Sequence, residues 1–171
     1  MWVARVAEGY VFGGLTPHSV ETLTGVPMLL ESTDPRVRER LMPDTFEEPD
    51  AEEHWRRHAV PELERLFLSR AQLVRRDLAA MKKLSKTDAQ VLLIPDGHAN
   101  AWLAALNAAR LALFVLNDLT ASLLEPESFP KGTPKQQEAM LRIHLLAEIQ
   151  SVLLGDFELD DGGSMSDLGL T

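Results

Sequence analysis

Apolar residues in the middle of the chain recur at steps of three and four, which is the spacing of one face of an α-helix. A long helical region is predicted from Asp50 onward, and Pro61 predicts a kink there or the start of a second helix. Beyond Pro61 the apolar positions form one stripe, which we expect to be buried: Leu63, Phe67, Ala71, Val74, Leu78 and Met81. This region is therefore predicted to be an amphipathic helix that packs along one side.

Residues 96–124 form a different pattern, because apolar side chains occupy nearly every helical face. A helix of this kind must be surrounded by other elements or by a partner. Its polar residues are spaced by seven, three and seven, so they lie in one narrow line: Asn100, Asn107, Arg110 and Asn117. A membrane span needs about 20 residues nearly free of such groups. We therefore predict a central buried helix and no membrane segment.

Three more helices are predicted where a capping residue directly precedes a proline, which suits the first helical turn. These pairs are Thr16-Pro17, Asp34-Pro35 and Thr133-Pro134. In the first helix, Gly25 and Pro27 predict a kink or a break. The second helix is expected to end near Leu41. Gly155 is expected to end the last one.

The first twelve residues carry the pattern of a β-hairpin. Residues 2–6 and 10–12 are β-prone, and Gly9 between them can adopt a positive φ. A lone hairpin is marginal in water, and the apolar run at residues 90–94, stopped by Pro95, is the best candidate for a third strand. The predicted fold is mainly α, a helical bundle around a central buried helix, with a small N-terminal hairpin joined by a third short strand.

Length and composition indicate one domain. The chain has 171 residues, of which 45% are apolar, and this is enough for a hydrophobic core. We expect a single helical domain over residues 1–155, followed by an acidic, disordered tail over residues 156–171.

Charge and cysteine content exclude several classes of function. A net charge of −9 argues against nucleic-acid binding. The chain has no cysteine, which excludes disulfides, a thiolate nucleophile and cysteine-based metal sites. The N-terminus lacks a basic segment followed by a long apolar stretch, so no secretory signal is recognised and a cytoplasmic location is expected.

Asn107 and Arg110 are the first candidates for chemistry, because they lie three residues apart on one face of an apolar helix. A buried arginine must be paired or must reach water. One hypothesis is a pocket for an anion or carboxylate lined by Trp102, Asn107 and Arg110, since the guanidinium group suits such ligands. The other is a structural ion pair with a neighbouring helix, and we favour it because it requires no ligand.

The remaining charged clusters are interpreted as solvated surface. His54 and His58 have metal-ligand spacing on a helix, but Trp55 stands where a zinc protease has its glutamate. The two arginines between the histidines would also repel a divalent cation. A basic stretch lacks interleaved aromatic residues: Arg70, Arg75, Arg76, Lys82, Lys83 and Lys86. An acidic run lacks the spacing of a calcium loop: Asp44, Glu47, Glu48, Asp50, Glu52 and Glu53. We predict no catalytic residue, no metal and no cofactor.

Several segments resemble a bacterial family catalogued only as a domain of unknown function. They are the hairpin, Leu41-Met42-Pro43-Asp44 with its acidic loop, the strand Val91-Leu92-Leu93-Ile94, and the string Trp102-Leu103-x-x-Leu106-Asn107-x-x-Arg110-Leu111. The resemblance covers residues 1–155 and implies an uninterrupted first helix, from which Gly25 and Pro27 depart. It also implies that relatives often lie near the protease adaptor ClpS and are sometimes labelled transcriptional regulators. It implies no activity, catalytic residue or cofactor.

Two functional hypotheses follow. The first is a non-enzymatic protein-interaction or regulatory protein, because no catalytic constellation is present and the helices are rich in apolar residues. The resemblance implies a connection of this protein to regulated proteolysis. The alternative is a sensor or enzyme that binds a small molecule or anion around Arg110. A protein partner or a homodimer is expected, since isologous packing is the commonest way to cover apolar helix faces.

Overall fold

The computed structural model describes residues 1–84, 88–125 and 131–156, together with the backbone of Asp160 and Asp161. Five helices and a small sheet follow one another in the order β1 (Trp2–Val6), β2 (Gly9–Leu15), α1 (Pro17–Leu30), α2 (Pro35–Leu41), α3 (Pro49–Ala79), β3 (Lys82–Lys83), β4 (Gln90–Pro95), α4 (Ala99–Leu116), α5 (Pro134–Leu153) and β5 (Asp160–Asp161). The predicted fold class is therefore confirmed.

The sheet is built on the predicted hairpin. β1 and β2 are antiparallel, and β4 pairs antiparallel with β2 as the predicted third strand. Gly9 turns the hairpin with φ +156°, and a Cβ there would lie 2.2 Å from the carbonyl oxygen of Ile94, so only glycine fits. The short strands β3 and β5 extend the two edges and give the order β3-β4-β2-β1-β5, with β5 parallel to β1.

Helix α4 is the centre of the molecule, as predicted. The other four helices pack against it, and its exposed residues are Asn100 and Asn107. It is shorter than predicted and ends at Leu116 rather than Leu124. The side-chain amide of Asn117 donates to the Leu113 carbonyl oxygen at 2.7 Å, and Asp118 adopts φ +50°, which ends the helix.

Both helices are continuous across their prolines, so the alternative of a break is wrong, while the alternative of a kink stays a prediction. α1 is continuous through Gly25 and Pro27, as the family resemblance implies, and α3 is continuous through Pro61. Pro27 lies only three residues from the end of α1, so few helical bonds follow it. Pro61 lies on an exposed stretch, where water can satisfy the carbonyl that loses its N–H partner.

The predicted starts of α1, α2 and α5 and the predicted end of α5 agree with the structure. Thr16, Asp34 and Thr133 accept hydrogen bonds from backbone N–H groups at the starts of α1, α2 and α5. Gly155 has φ +82° just after α5.

Residues 157–159 and 162–171 of the predicted disordered tail lie outside the described residues. Within the described part, one segment, Asp96–Leu116, has the length and hydropathy of a membrane span, and it is the core helix around which the others pack.

Candidate interaction surface and buried polar cluster

Two of the predicted site residues, Trp102 and Arg110, form hydrogen bonds with different partners. Trp102 is fully buried, and its indole Nε1 donates to Asp77 Oδ2 of α3 at 2.9 Å. Arg110 turns to α5, where its Nη1 donates to Gln150 Oε1 at 2.6 Å. Asn107 is exposed. Trp102 and Arg110 therefore bond to different helices, and the ligand-binding hypothesis for the three residues stays a prediction.

Arg110 is part of a bridge between α4 and α5. Gln150 accepts from Arg110 and donates through Nε2 to the Leu103 carbonyl oxygen at 3.1 Å. The partner of Arg110 is thus an amide, where the structural hypothesis expected a carboxylate. Its buried Nε has no hydrogen-bond partner among the described residues. One amide bond holds the guanidinium group in place without neutralising its charge.

A buried polar cluster that the sequence analysis missed joins α3 to α4. The Asp77 carboxylate is buried and accepts from Trp102 Nε1, and its two oxygens lie 2.9 and 3.1 Å from His98 Nδ1. A sequence signal was present, because Asp77 falls on the buried stripe between Val74 and Leu78. An acid at such a position must find partners when the helix packs. The cluster fastens the end of α3 to the start of α4.

The first two thirds of α3 are the most unusual feature of the molecule. The helix has 31 residues and spans about 46 Å, but no residue between Pro43 and Arg70 is buried. The buried residues of α3 begin only at Ala71. We call residues 49–70 the arm. It carries apolar side chains that the core does not cover, among them Leu66 and Leu68, each 47% exposed.

Ion pairs stabilise the arm where packing does not. Three lie within it, between Arg56 and Glu52, Arg57 and Glu53, and Arg65 and Glu62. Such pairs at i,i+3 or i,i+4 contribute about 0.3–0.5 kcal/mol each. Arg38 of α2 also pairs with Glu64. These interactions keep the arm helical but cover little apolar surface.

An apolar cleft separates the arm from α2. Its inner part is a cavity of about 110 Å³. The cavity is lined by apolar side chains, Leu30, Val37, Leu41, Met42, Phe67 and Leu68, and by polar ones, Glu31, Ser32, Arg38 and Glu64. The Arg38–Glu64 ion pair lies at this cavity, and the cleft continues outward past Met42 to Arg56 and Val60. We call this concave surface the α2–arm cleft. A concave apolar surface with a few charged groups is typical of a binding site.

The outer end of the arm is acidic and carries an aromatic pair. Phe46 and Trp55 contact each other edge to face, with ring centroids 6.3 Å apart. Glu52 Oε2 accepts from the backbone N–H groups of Thr45 and Phe46 at 2.9 and 2.8 Å, which folds the preceding loop onto the helix. Within the described part of the chain, Glu47, Glu48 and Asp50 are exposed and form no ion pair. We call these three acids the acidic tip.

The end of α1 is tied by another ion pair to residues 71–79 of α3, which we call the docked part. Arg75 donates to Glu31 through both terminal nitrogens, at 2.8 and 2.5 Å. The hydrogen bond from Arg75 lowers the pKa of the Glu31 carboxyl below its ordinary value. A similar effect occurs at the start of α2, where hydrogen bonds from the side chain and backbone of Arg36 lower the pKa of Asp34.

The other charged candidates do not converge on a site. The rings of His54 and His58 lie 4.5 Å apart on an exposed face of the arm. Over the described residues, no group of three or more His, Asp or Glu side chains is placed to hold a metal ion. In the basic stretch, Arg75 is paired with Glu31, Lys82 and Lys83 form β3, and Lys86 lies outside the described residues.

Comparison with known proteins gives one match. A model of the family described as a domain of unknown function, DUF2017, matches residues 5–155. Searches of curated proteins and of solved structures find no match. The matched range includes α1 to α5, the arm and the buried cluster.

Proposed function

The chain belongs to the DUF2017 family, and we propose that it is a cytoplasmic, non-enzymatic protein-interaction protein that binds its partner with the α2–arm cleft and the acidic tip. The observation that carries this proposal is the arm. A helix in a globular protein owes most of its stability to a packed apolar face. Here about 22 residues of helix contain no buried residue, and the side chains of Leu66 and Leu68 are each 47% exposed.

The chemistry of this surface specifies the partner. The inner cavity of about 110 Å³ has room for one large aliphatic or aromatic side chain, the kind of anchor that dominates binding energy. The unpaired carboxylates of Glu47, Glu48 and Asp50 attract positive charge. The partner is therefore a basic segment with an apolar anchor residue. An acidic segment would be repelled at the tip.

Two matched peptides test this directly. Both are short helix formers with leucines on one face; one carries lysines on the other face and the other carries glutamates. Full-length protein is titrated with each peptide and binding is measured by calorimetry. We expect the lysine peptide to bind at least about tenfold more tightly, with a preference that shrinks as salt increases.

Variants locate the binding surface. Leu68→Glu places a charge in the cleft and is expected to lower the affinity for the lysine peptide at least about tenfold. Leu154→Glu, at a side chain that is 64% exposed just after α5, is the control and should bind normally. Replacing Glu47, Glu48 and Asp50 by their amides should remove the preference for lysine. Equal binding of both peptides, or binding that Leu68→Glu leaves unchanged, contradicts the proposal.

A finer proposal concerns the pathway. The resemblance noted in the sequence implies that relatives often lie near the adaptor ClpS, and on that ground we propose a role in regulated proteolysis with a partner from that machinery. Titration with purified ClpS is the test, and Leu68→Glu should abolish the binding. If ClpS does not bind while the lysine peptide does, the link to proteolysis fails and the interaction proposal remains.

The alternative of an anion sensor or enzyme around Arg110 has less support. Arg110 is bonded to Gln150, and Trp102 is turned toward Asp77. The observation that favours an anion is the uncompensated charge of Arg110, whose buried Nε has no hydrogen-bond partner among the described residues.

A further inference from the structure

A second apolar depression lies on the other side of α1. Glu21, Gly25 and Met28 follow one another at i, i+4 and i+7, so they share a helix face. With Leu113 of α4 and Arg142 of α5 they line a groove of about 410 Å³. The Met28 side chain is 69% exposed. We call this the α1 groove. It shares no lining residue with the α2–arm cleft.

Gly25 is the unexplained residue of this groove. A glycine inside a helix is unfavourable relative to alanine. Gly25 does not have a positive φ, and a Cβ placed on it would meet no atom within 4 Å. Neither the backbone nor the packing of this chain therefore requires glycine here. The close approach of another backbone would require it.

The charges at the groove favour a second copy of the chain as the occupant. Arg142 donates to Glu21 at 3.1 Å and to Glu138 at 2.7 Å, and Lys135 lies beside Glu138 in the adjoining depression. Two basic and two acidic groups balance each other here, whereas the whole chain has a net charge of −9. Two copies can thus approach at this surface without the like-charge repulsion expected elsewhere.

The shape of the surface points to the same occupant. Met28 protrudes beside the groove on the same helix face. A protruding side chain and a space that could hold the same side chain of a second copy therefore lie next to each other. A twofold axis brings such a surface onto itself, because each copy then supplies both features. Methionine suits this contact, since its flexible side chain adapts to irregular space.

We propose that the α1 groove is the contact between two copies of this chain. The two α1 helices cross at Gly25, and Met28 of each copy occupies the groove of the other. Leu113 forms part of the apolar floor. This contact is independent of the α2–arm cleft, so a dimer leaves both clefts open to partners.

Sedimentation of the full-length protein tests the proposal. We expect a concentration-dependent dimer in the micromolar range. Met28→Lys places a charge in the groove and should raise the dimer dissociation constant at least about a hundredfold. Leu154→Lys is the control, since its side chain is also highly exposed but lies at the other end of α5 from Lys135, and it should leave the dimer unchanged.

Gly25→Ala separates association from folding. It should raise the dissociation constant at least about tenfold by adding a methyl group at the crossing. It should also raise the Tm of the dilute monomer by about 1–3 °C, because alanine favours the helix. Loss of dimer in a more stable monomer cannot result from misfolding. A wild-type protein that stays monomeric at several hundred micromolar, or a dimer insensitive to both Gly25→Ala and Met28→Lys, overturns the proposal.

Cross-linking gives a second readout. The chain has no cysteine, so Gly25→Cys introduces a single thiol. At a twofold crossing the two Cα atoms can come within the 4.4–6.8 Å or so that a disulfide needs. Mild oxidation should then link Gly25→Cys into dimers much faster than Leu154→Cys. Equal rates for the two variants would contradict the crossing point.

Discussion

The two parts of α3 share one helix and one apolar stripe, but they differ in what covers that stripe. From Ala71 onward the stripe is buried against α1 and α4, and Asp77 adds a buried polar contact. Over the arm the stripe continues through Val60, Leu63 and Phe67 without a buried residue. Periodicity therefore shows which face of a helix would be covered, but not whether the chain itself covers it.

The difference has an energetic meaning. The docked part is stabilised by burial of apolar area, at about 25 cal/mol per Å². The arm relies on exposed ion pairs that contribute little and weaken with salt. A surface that remains uncovered in the free protein is available to a partner. The following predictions test this contrast between the docked part and the arm.

The largest effect is expected from a pair of leucine truncations. Leu78 in the docked part is 8% exposed and Leu66 in the arm is 47% exposed. Leu78→Ala should lower the free energy of unfolding by about 3 kcal/mol, through lost burial and the cavity left behind. Leu66→Ala should lower it by less than about 0.5 kcal/mol. Denaturant unfolding measures both; equal losses would show that the arm is packed in solution.

A pair of aspartate truncations comes next. Asp77→Ala removes the acceptor of Trp102 Nε1 and the partner of His98, so the buried indole N–H and the partly exposed imidazole both lose a hydrogen bond. We expect a loss of about 2 kcal/mol in the free energy of unfolding. Asp50→Ala, on the acidic tip, is the control and should change Tm little. If Asp77→Ala is harmless, the cluster does not fasten α3 to α4.

The same contrast shows what the sequence predicts well. Patterns within a few neighbouring residues correctly predict the capped starts of α1, α2 and α5, the hairpin turn at Gly9, and the third strand. The central position of α4 also followed from its apolar faces, because a helix of that kind has to be surrounded.

The failures concern context. Pro27 and Pro61 predict a kink or a break, and the alternative of a break is wrong, because α1 and α3 are continuous across these prolines. The α2–arm cleft and the Asp77 cluster arise from residues more than 20 positions apart. No local pattern in one sequence specifies such contacts. For the same reason Arg110 could be predicted to need a partner, but Gln150 could not be named.

Hydrogen exchange provides a test without mutation. Backbone amides in residues 71–79 should exchange at least about tenfold more slowly than those in residues 52–68, a difference of about 1.4 kcal/mol in opening free energy. The physical reason is that opening the arm exposes little apolar surface. Exchange at matched peptides, followed by mass spectrometry, measures it. Slower exchange of the arm when the lysine peptide is added would locate binding there, and uniform protection along α3 would contradict the contrast.

The smallest expected effect is a pH dependence at the junction of α1 and the docked part. Arg75 lowers the folded-state pKa of Glu31 below its ordinary value of 4.5. The ionised carboxylate therefore stabilises the fold above that value, and this contribution is lost as pH falls through the lower, folded-state pKa. Because the pair is partly exposed, we expect Glu31→Gln to lower Tm by only about 1–2 °C at pH 7. That difference should shrink as pH falls below 4.5 and should vanish once the pH is below the lowered folded-state pKa, where wild-type Glu31 is protonated as well.

Thermal unfolding of wild type and Glu31→Gln across this pH range measures the Tm difference, with Glu53→Gln on the arm as the matched control. A Tm difference that persists unchanged in acid would mean that Glu31 stabilises the junction through packing and not through its charge.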